Sequence, residues 1–520
     1  MKSSTESDQH SRKWLLLIAL LSVPGLLWAG QKKQQQQQQQ RSSPPPSRPA
    51  PASRQAAPQQ RQAPPQQRPG AGAGQQRPSV GGPQQRPGAG GPQQRSGVDG
   101  PQPQPGAANA GRPGTAAPPR PAPRLTRTVP LRGGGTATIA TRSNGKPAVI
   151  HTQGVNGAMT ISHPLRGSPK VVQERNGRTI VATGRSTGYV QRNYVVRNNT
   201  TYVQRTYVVN NVTYTSVYRT TYYDGVAYYG YAPVCYYRPA FYGWAYDPWV
   251  VPLVYGPSAW GWVGSPWYGF YGGYFSPEPV YPTASLWLTD YLLAADLQAA
   301  YGSRAEAQAH AAGEEQGRRE DEGEQPAAAP AGGGQTQLTP EVKHMIAEEV
   351  KSQLAAERTA AANPQQPAPR GQVPDALNPA ERVFIVSSSL DVAAADDQEC
   401  ALTPGDVVMR VTDSPDENQN VAAIVQSSKQ SDCARGATVA VGVQDLQEMH
   451  NQFRQQLDAG LKTLASNSGK GGLPPAPDTT TTNGEVPPPA ADANAAAQVS
   501  SAQQDAKRTE QAVQQAGPGS

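Results

Sequence analysis

Tyr189-Val-Gln-Arg-Asn-Tyr-Val-Val-Arg-Asn-Asn199 recurs thirteen residues later as Tyr202-Val-Gln-Arg-Thr-Tyr-Val-Val-Asn-Asn211. Aromatic and β-branched residues punctuated by Asn-Asn pairs describe strands joined by tight turns, so this stretch reads as antiparallel ribbon. Strand alternation predicts Val190, Arg192, Tyr194 and Val196 on one face, matched across the ribbon by Val203, Arg205, Tyr207 and Val209. Arginine among aromatic and β-branched neighbours suits cross-strand stacking.

Upstream, the same logic extends to residue 125. Asn144-Gly145, Asn156-Gly157 and Asn176-Gly177 are hairpin signals, because both central residues of a type I′ turn need positive φ. Between them run Thr136–Thr141, Ala148–Thr152, Met159–Ser162, Lys170–Gln173 and Thr179–Ala182, which predict an antiparallel meander over residues 125–230. The fold class is therefore mainly β with flanking helices and long disorder.

All 22 tyrosines lie between Tyr189 and Tyr301. Beyond residue 230 they change company. Pro239-Ala-Phe-Tyr-Gly-Trp-Ala-Tyr-Asp-Pro-Trp249 and Trp260-Gly-Trp-Val-Gly-Ser-Pro-Trp-Tyr-Gly-Phe-Tyr-Gly-Gly-Tyr274 are nearly uncharged and broken by Gly and Pro, which predicts an irregular wrap over residues 231–302. Rings of this kind stack on sugars and cations. The candidate contact surface is accordingly Tyr237, Phe241, Tyr242, Trp244, Trp249, Trp260, Trp262, Trp267 and Tyr268. The wrap ends in a helix with Ser285 as its expected cap and Leu286, Leu288, Tyr291, Leu292, Leu293, Leu297 and Tyr301 as an apolar stripe.

A charged linker is expected over residues 303–337. A second amphipathic helix follows over residues 338–362, with Thr339 as cap, Pro340 at its first position and Val342, Met345, Ile346, Val350 and Leu354 along one face. That stripe could pair with a copy of itself or dock on another helix. After a linker at 363–380, about five strands are expected: Val383–Val386, Leu390–Ala393, Asp406–Thr412, Val421–Gln426 and Ala437–Val443. A helix from Leu446 to about Leu464 completes this unit, 381–466, and residues 467–520 read as a disordered Pro/Ala/Gln-rich tail. Cys400 and Cys433 form the expected disulfide, leaving Cys235 as a buried thiol or an intermolecular link.

Residues 1–30 place Lys2, Arg12 and Lys13 before the apolar run Trp14–Leu21, the pattern of an export signal or an uncleaved anchor. Residues 31–124 repeat Gln-Gln-Arg among Pro and Gly and carry two lysines and eleven arginines against Asp99 alone, a basic flexible tail. Periplasm, outer surface or secretion is the expected location. No His or Cys pair stands at metal-ligand spacing and no nucleophile or phosphate-loop motif occurs, so no cofactor, metal or catalytic residue is assigned.

Ala401-Leu-Thr-Pro-Gly-Asp-Val-Val408 resembles the turn and strand of peptide-binding PDZ modules, without their Gly-Leu-Gly-Phe-type loop; a disulfide-locked SH3-like barrel fits the same residues. Tyr202–Tyr214, Pro239–Trp249 and Ser285–Tyr301 together resemble a group of uncharacterised exported, Tyr/Gly-rich proteins of soil bacteria. That resemblance covers residues 125–465 and implies export and a modular layout, with no activity to inherit. Two functions follow as expectations. One is a non-catalytic envelope protein whose aromatic surface binds glycan, a protein partner or the membrane interface, with nucleic acid disfavoured by export. The other is a peptide- or protein-binding module in residues 381–447 with the aromatic region as scaffold.

Overall fold

Ten consecutive strands hydrogen-bond in sequence order: β1 (Leu125–Pro130), β2 (Thr136–Thr141), β3 (Pro147–Gly154), β4 (Gly157–Ser162), β5 (Lys170–Arg175), β6 (Arg178–Gly184), β7 (Thr187–Arg197), β8 (Thr200–Val209), β9 (Val212–Tyr223) and β10 (Val226–Ala232). Every pairing is antiparallel. The expected meander is therefore present. Its turns follow the chemistry of their residues: Asn176-Gly177, Asn198-Asn199 and Asp224-Gly225 all hold positive φ at both positions.

This is a computed structural model, and it describes residues 118–119, 124–131, 134–154, 157–184, 187–209, 212–319, 337–364, 373–395, 398–429 and 432–516. The expected export signal and nearly all of the basic tail lie outside the described residues, as do 320–336 and 365–372. All described residues belong to one compact unit.

The sheet has one apolar face. Ile139, Ile150, Ile161, Val171 and Ala182 stand opposite one another on successive strands, each at most 4% exposed. The other face carries Thr138, His151, Thr160, Val172, Val181, Tyr189, Tyr207 and Tyr214 in one cross-strand row.

The repeat itself departs from simple alternation. A β-bulge between Asn193 and Val195 shifts the register by one residue, so Arg192 pairs with Gln204 and Arg205 pairs with Gln191. The expected match of Arg192 with Arg205 on a shared face does not occur. Without the bulge the pairing Arg197↔Thr200 would carry through to Arg192↔Arg205, setting two guanidinium groups directly opposite, which is destabilising. Instead Arg192 donates to Gln204 Oε1 at 3.1 Å and Arg205 donates to Gln191 Oε1 at 2.8 Å, on opposite faces.

Beyond the meander come β11 (Cys235–Tyr237), α1 (Pro239–Tyr246), β12 (Leu253–Val254), α2 (Pro266–Tyr271), β13 (Val280–Tyr281) and the long helix α3 (Ala284–Arg319). α3 begins one residue before the expected cap: Thr283 Oγ1 accepts from the Leu286 N–H at 3.4 Å, while Ser285 lies inside the helix. It also continues through the first part of the expected linker, because the Ala/Glu/Gln/Arg composition there has high helix propensity. α4 (Pro340–Ala362) follows as expected.

The second sheet contains β14 (Val383–Ile385), β15 (Leu390–Ala394), β16 (Glu399–Leu402), β17 (Val407–Arg410), β18 (Asn420–Ser427) and β19 (Thr438–Gly442), ordered β14-β17-β18-β19-β15-β16. The sixth strand, β16, was not expected; it carries Cys400, which is disulfide-bonded to the fully buried Cys433. Helix α5 (Val443–Ser466) then packs against both sheets, meeting β10 on one side and β14 and β19 on the other.

The expected C-terminal tail is ordered through residue 516. β20 (Thr481–Asn483) pairs with β11, and α6 (Ala495–Gln515) lays Ala495, Val499, Ala502, Ala506 and Val513 on the apolar face of the meander. Its small side chains let the helix sit close to the sheet, and Arg178 anchors its start through Asp492 at 2.9 Å. Arg142 ties the meander to Asp391 and Glu399 of the six-stranded sheet.

Candidate functional site

None of the nine aromatic residues expected to form a contact surface is exposed. Phe241, Tyr242, Trp249 and Trp267 are buried outright, and Tyr237, Trp244, Trp260, Trp262 and Tyr268 are half-buried against the same cluster. They are core. Trp260 stacks on Trp262 at 4.4 Å and on Trp287 of α3 at 4.6 Å, and its indole N–H donates to Tyr281 at 3.2 Å. The physical reason lies in α3, whose Leu288, Leu292, Leu293 and Leu297 are fully buried and need cover. A segment rich in Gly and Pro can bend around a helix, and each buried ring adds about 2–3 kcal/mol.

Where the aromatic layer meets the helices, polar groups pair internally. Tyr281 donates to Asp290 at 2.6 Å, and Lys343 sits 2.9 Å from the same carboxylate. Arg205 forms a bidentate pair with Glu448 at 2.6 and 2.8 Å, its guanidinium between the rings of Tyr189 and Tyr218. Asn451 of α5 caps the outer edge of β10, accepting from the Tyr231 N–H at 2.9 Å and donating to the Tyr229 carbonyl at 2.7 Å. Burial pushes the Asp458 carboxyl up to about 8 and that of Asp296 to about 7. Their partners are Tyr231, which donates to Asp458 at 2.7 Å, and Gln456, which donates to Asp296 at 2.7 Å.

One concavity opens beside the six-stranded sheet. It has a volume of about 510 Å³ and lies between the first turns of α4 and the edge strand β14. Met345, Ala380, Val383 and Met409 give it an apolar floor; Glu341, His344, Glu348, Glu349 and Arg382 stand around it. Two of the chain's five methionines meet there. Met345 belongs to the stripe read from the sequence, but Val342, Ile346, Val350 and Leu354 are buried within the chain, leaving Met345 at the margin.

The edge of β14 is itself closed. Glu349 Oε2 accepts from the backbone N–H groups of Arg382 at 3.3 Å and Val383 at 3.4 Å, and the Val383 amide, on the edge away from β17, is one an added strand would use. Burial, then the neighbouring Glu381, raise the Glu349 carboxyl to about 7. Glu381 in turn lies 2.7 Å from the buried His450, whose imidazole it holds in the charged form. Ala380, Arg382 and Met409 carried no periodic signal as site residues; only the fold brings them to α4.

Among the described residues no three His, Cys, Asp or Glu side chains converge as a metal site, and no helix is long and apolar enough to cross a membrane. No protein-family model matches the chain, and neither the curated proteins nor the solved structures provide a match.

Proposed function

We propose that this chain is a non-catalytic contact protein of the cell envelope in which the aromatic region is scaffold and the groove between α4 and β14 binds a segment of a partner protein. The observation that carries the reading is the contrast in exposure: the nine aromatic candidates are taken up in the core, while the groove presents an apolar floor to the outside. The disulfide Cys400–Cys433 suits an oxidising compartment, in keeping with the amino-terminal export pattern. A groove between a helix and an edge strand favours the PDZ-like reading of this module over the SH3-like one. Glu349 occupies the edge amide of Val383, however, so a ligand would be held mainly by side-chain contacts and not by strand addition.

The test screens the full-length protein and its Met345→Ser/Met409→Ser double variant against a displayed random-peptide library and against purified peptidoglycan. Peptides retained by the parent and lost by the variant are the expected result. Peptidoglycan retention that the variant preserves, with no peptide dependent on the two methionines, would sink the groove reading in favour of glycan contact elsewhere.

A further inference from the structure

We propose that the groove takes a cationic, apolar-anchored segment, an extended stretch in which arginine or lysine alternates with aliphatic residues; this rests on the groove reading above and names its ligand class. The walls supply the charge. Glu341, Glu348 and Glu349 line the cavity with His344 and one guanidinium, Arg382; Glu348 is paired with Lys351 at 2.7 Å, so Glu341 and Glu349 carry the charge that an incoming cation meets. Arg382 is already matched, lying 2.7 Å from Asp413, so it offers little to an incoming anion. An acidic segment would meet like charges without a free counter-ion.

The floor supplies the anchor. Met345, Met409 and Val383 form an apolar seat, and methionine adapts its shape to irregular ligands. A long basic side chain combines both requirements, since its methylene stem lies along apolar surface while its head reaches a carboxylate. Groove and ligand are thus complementary in two independent respects.

Glu349 couples this binding to pH. The groups acting on it are Glu381 and the Arg382 and Val383 backbone N–H groups around the start of β14, and His450 from α5, while His344 and Glu348 of its own helix line the same cavity. Its carboxyl ionises near 7 in the free groove. A cation in the groove favours the ionised form, so binding releases a proton and affinity rises as pH increases through that range.

The experiment uses fluorescence anisotropy with the full-length protein and three labelled decapeptides: one alternating arginine with leucine and proline, one with glutamate for arginine, and one with serine for leucine. The arginine–leucine peptide should bind at least about tenfold tighter than either counterpart. Its affinity should rise by up to about tenfold between pH 6 and pH 8. Glu349→Gln, whose amide oxygen still accepts the two backbone N–H groups, should bind with that pH dependence removed. Binding should be lost in Met345→Ser/Met409→Ser. If the glutamate peptide binds as well or better and still depends on the two methionines, the charge inference is overturned while the groove reading stands. If the arginine peptide binds but is indifferent to the methionines, it binds elsewhere and both are overturned.

Discussion

The two halves of the tyrosine-rich region share their ring chemistry and differ in how the rings are held. In the wrap and α3, rings meet rings: Phe241 touches Tyr237, Tyr242 and Trp244, and Trp260 lies between Trp262 and Trp287. In β7–β10 the rings flank polar groups. Tyr189 and Tyr218 enclose Arg205, Tyr207 bonds Tyr218 through their hydroxyls at 2.5 Å, and Gln455 of α5 donates to Tyr218 at 2.8 Å. The difference follows from neighbours in the sequence. Glycine and proline let the wrap fold rings inward on a leucine stripe, whereas strand alternation sets Tyr189, Tyr207, Tyr214 and Tyr218 on the face that α5 covers with Glu448, Asn451 and Gln455. The wrap depends on volume and the repeat on polar satisfaction.

That contrast can be broken by substitution. Phe241→Ala should cost about 3–5 kcal/mol in urea unfolding, because it opens a cavity among fully buried rings; a loss below about 1 kcal/mol would mean the wrap is not a packed core. Reducing the disulfide, or Cys400→Ala/Cys433→Ala, closes neither region directly. Its 33-residue loop predicts a loss of about 3–4 kcal/mol, read from the shift in urea midpoint. Arg205→Met should cost about 2–3 kcal/mol, less than a fully buried pair would, because Glu448 is about one-third exposed and can recover water. A double-mutant cycle with Glu448→Gln isolates the pair; a coupling near zero would make Arg205 a packing residue only.

The effect of each single carboxyl on pH dependence is the smallest of these. Asp296, Asp458 and Glu349 ionise at about 7, 8 and 7 in the folded chain, above the ordinary carboxylate range, and the charged form of His450 is favoured as well. Each binds more proton folded than unfolded, so each contributes stability at mildly acidic pH that is lost as pH rises from about 5 to 8. The slope is about 1.4 kcal/mol per pH unit for each net proton. Thermal unfolding should therefore move to lower temperature across that window, and Asp458→Asn should flatten the curve; a melting temperature that rises steadily with pH would contradict the burial of these carboxyls.

Local chemistry was legible where the cause is local. Asn-Gly and Asp-Gly turns, the strand runs, Pro340 and the stripe of α4 follow from conformational preference and period. Features caused by distant segments were not. Residues 495–515 look like an Ala/Gln tail until the isoleucine and valine face of the meander supplies their partner. The four-residue β16 is too short to announce itself, and the rings of the wrap read as ligand surface although the apolar stripe of α3, legible at the end of the same segment, is what they cover. The groove was half visible, in Met345 but not in Met409 or Ala380.

The bulge at Tyr194 acts as a spacer that sets the reading frame of the whole sheet beyond it. Deleting that one residue would close the bulge and leave the register as it is, with Asn193↔Val203 followed directly by Val195↔Tyr202 and Arg192 still against Gln204. Pairing Tyr194 at full length is the change that would set Arg192 against Arg205, turn Val190, now 1% exposed on the apolar face beneath α6, toward α5, and send Gln191 in the opposite direction. The strand thus tolerates the loss of this residue better than its incorporation into the ladder.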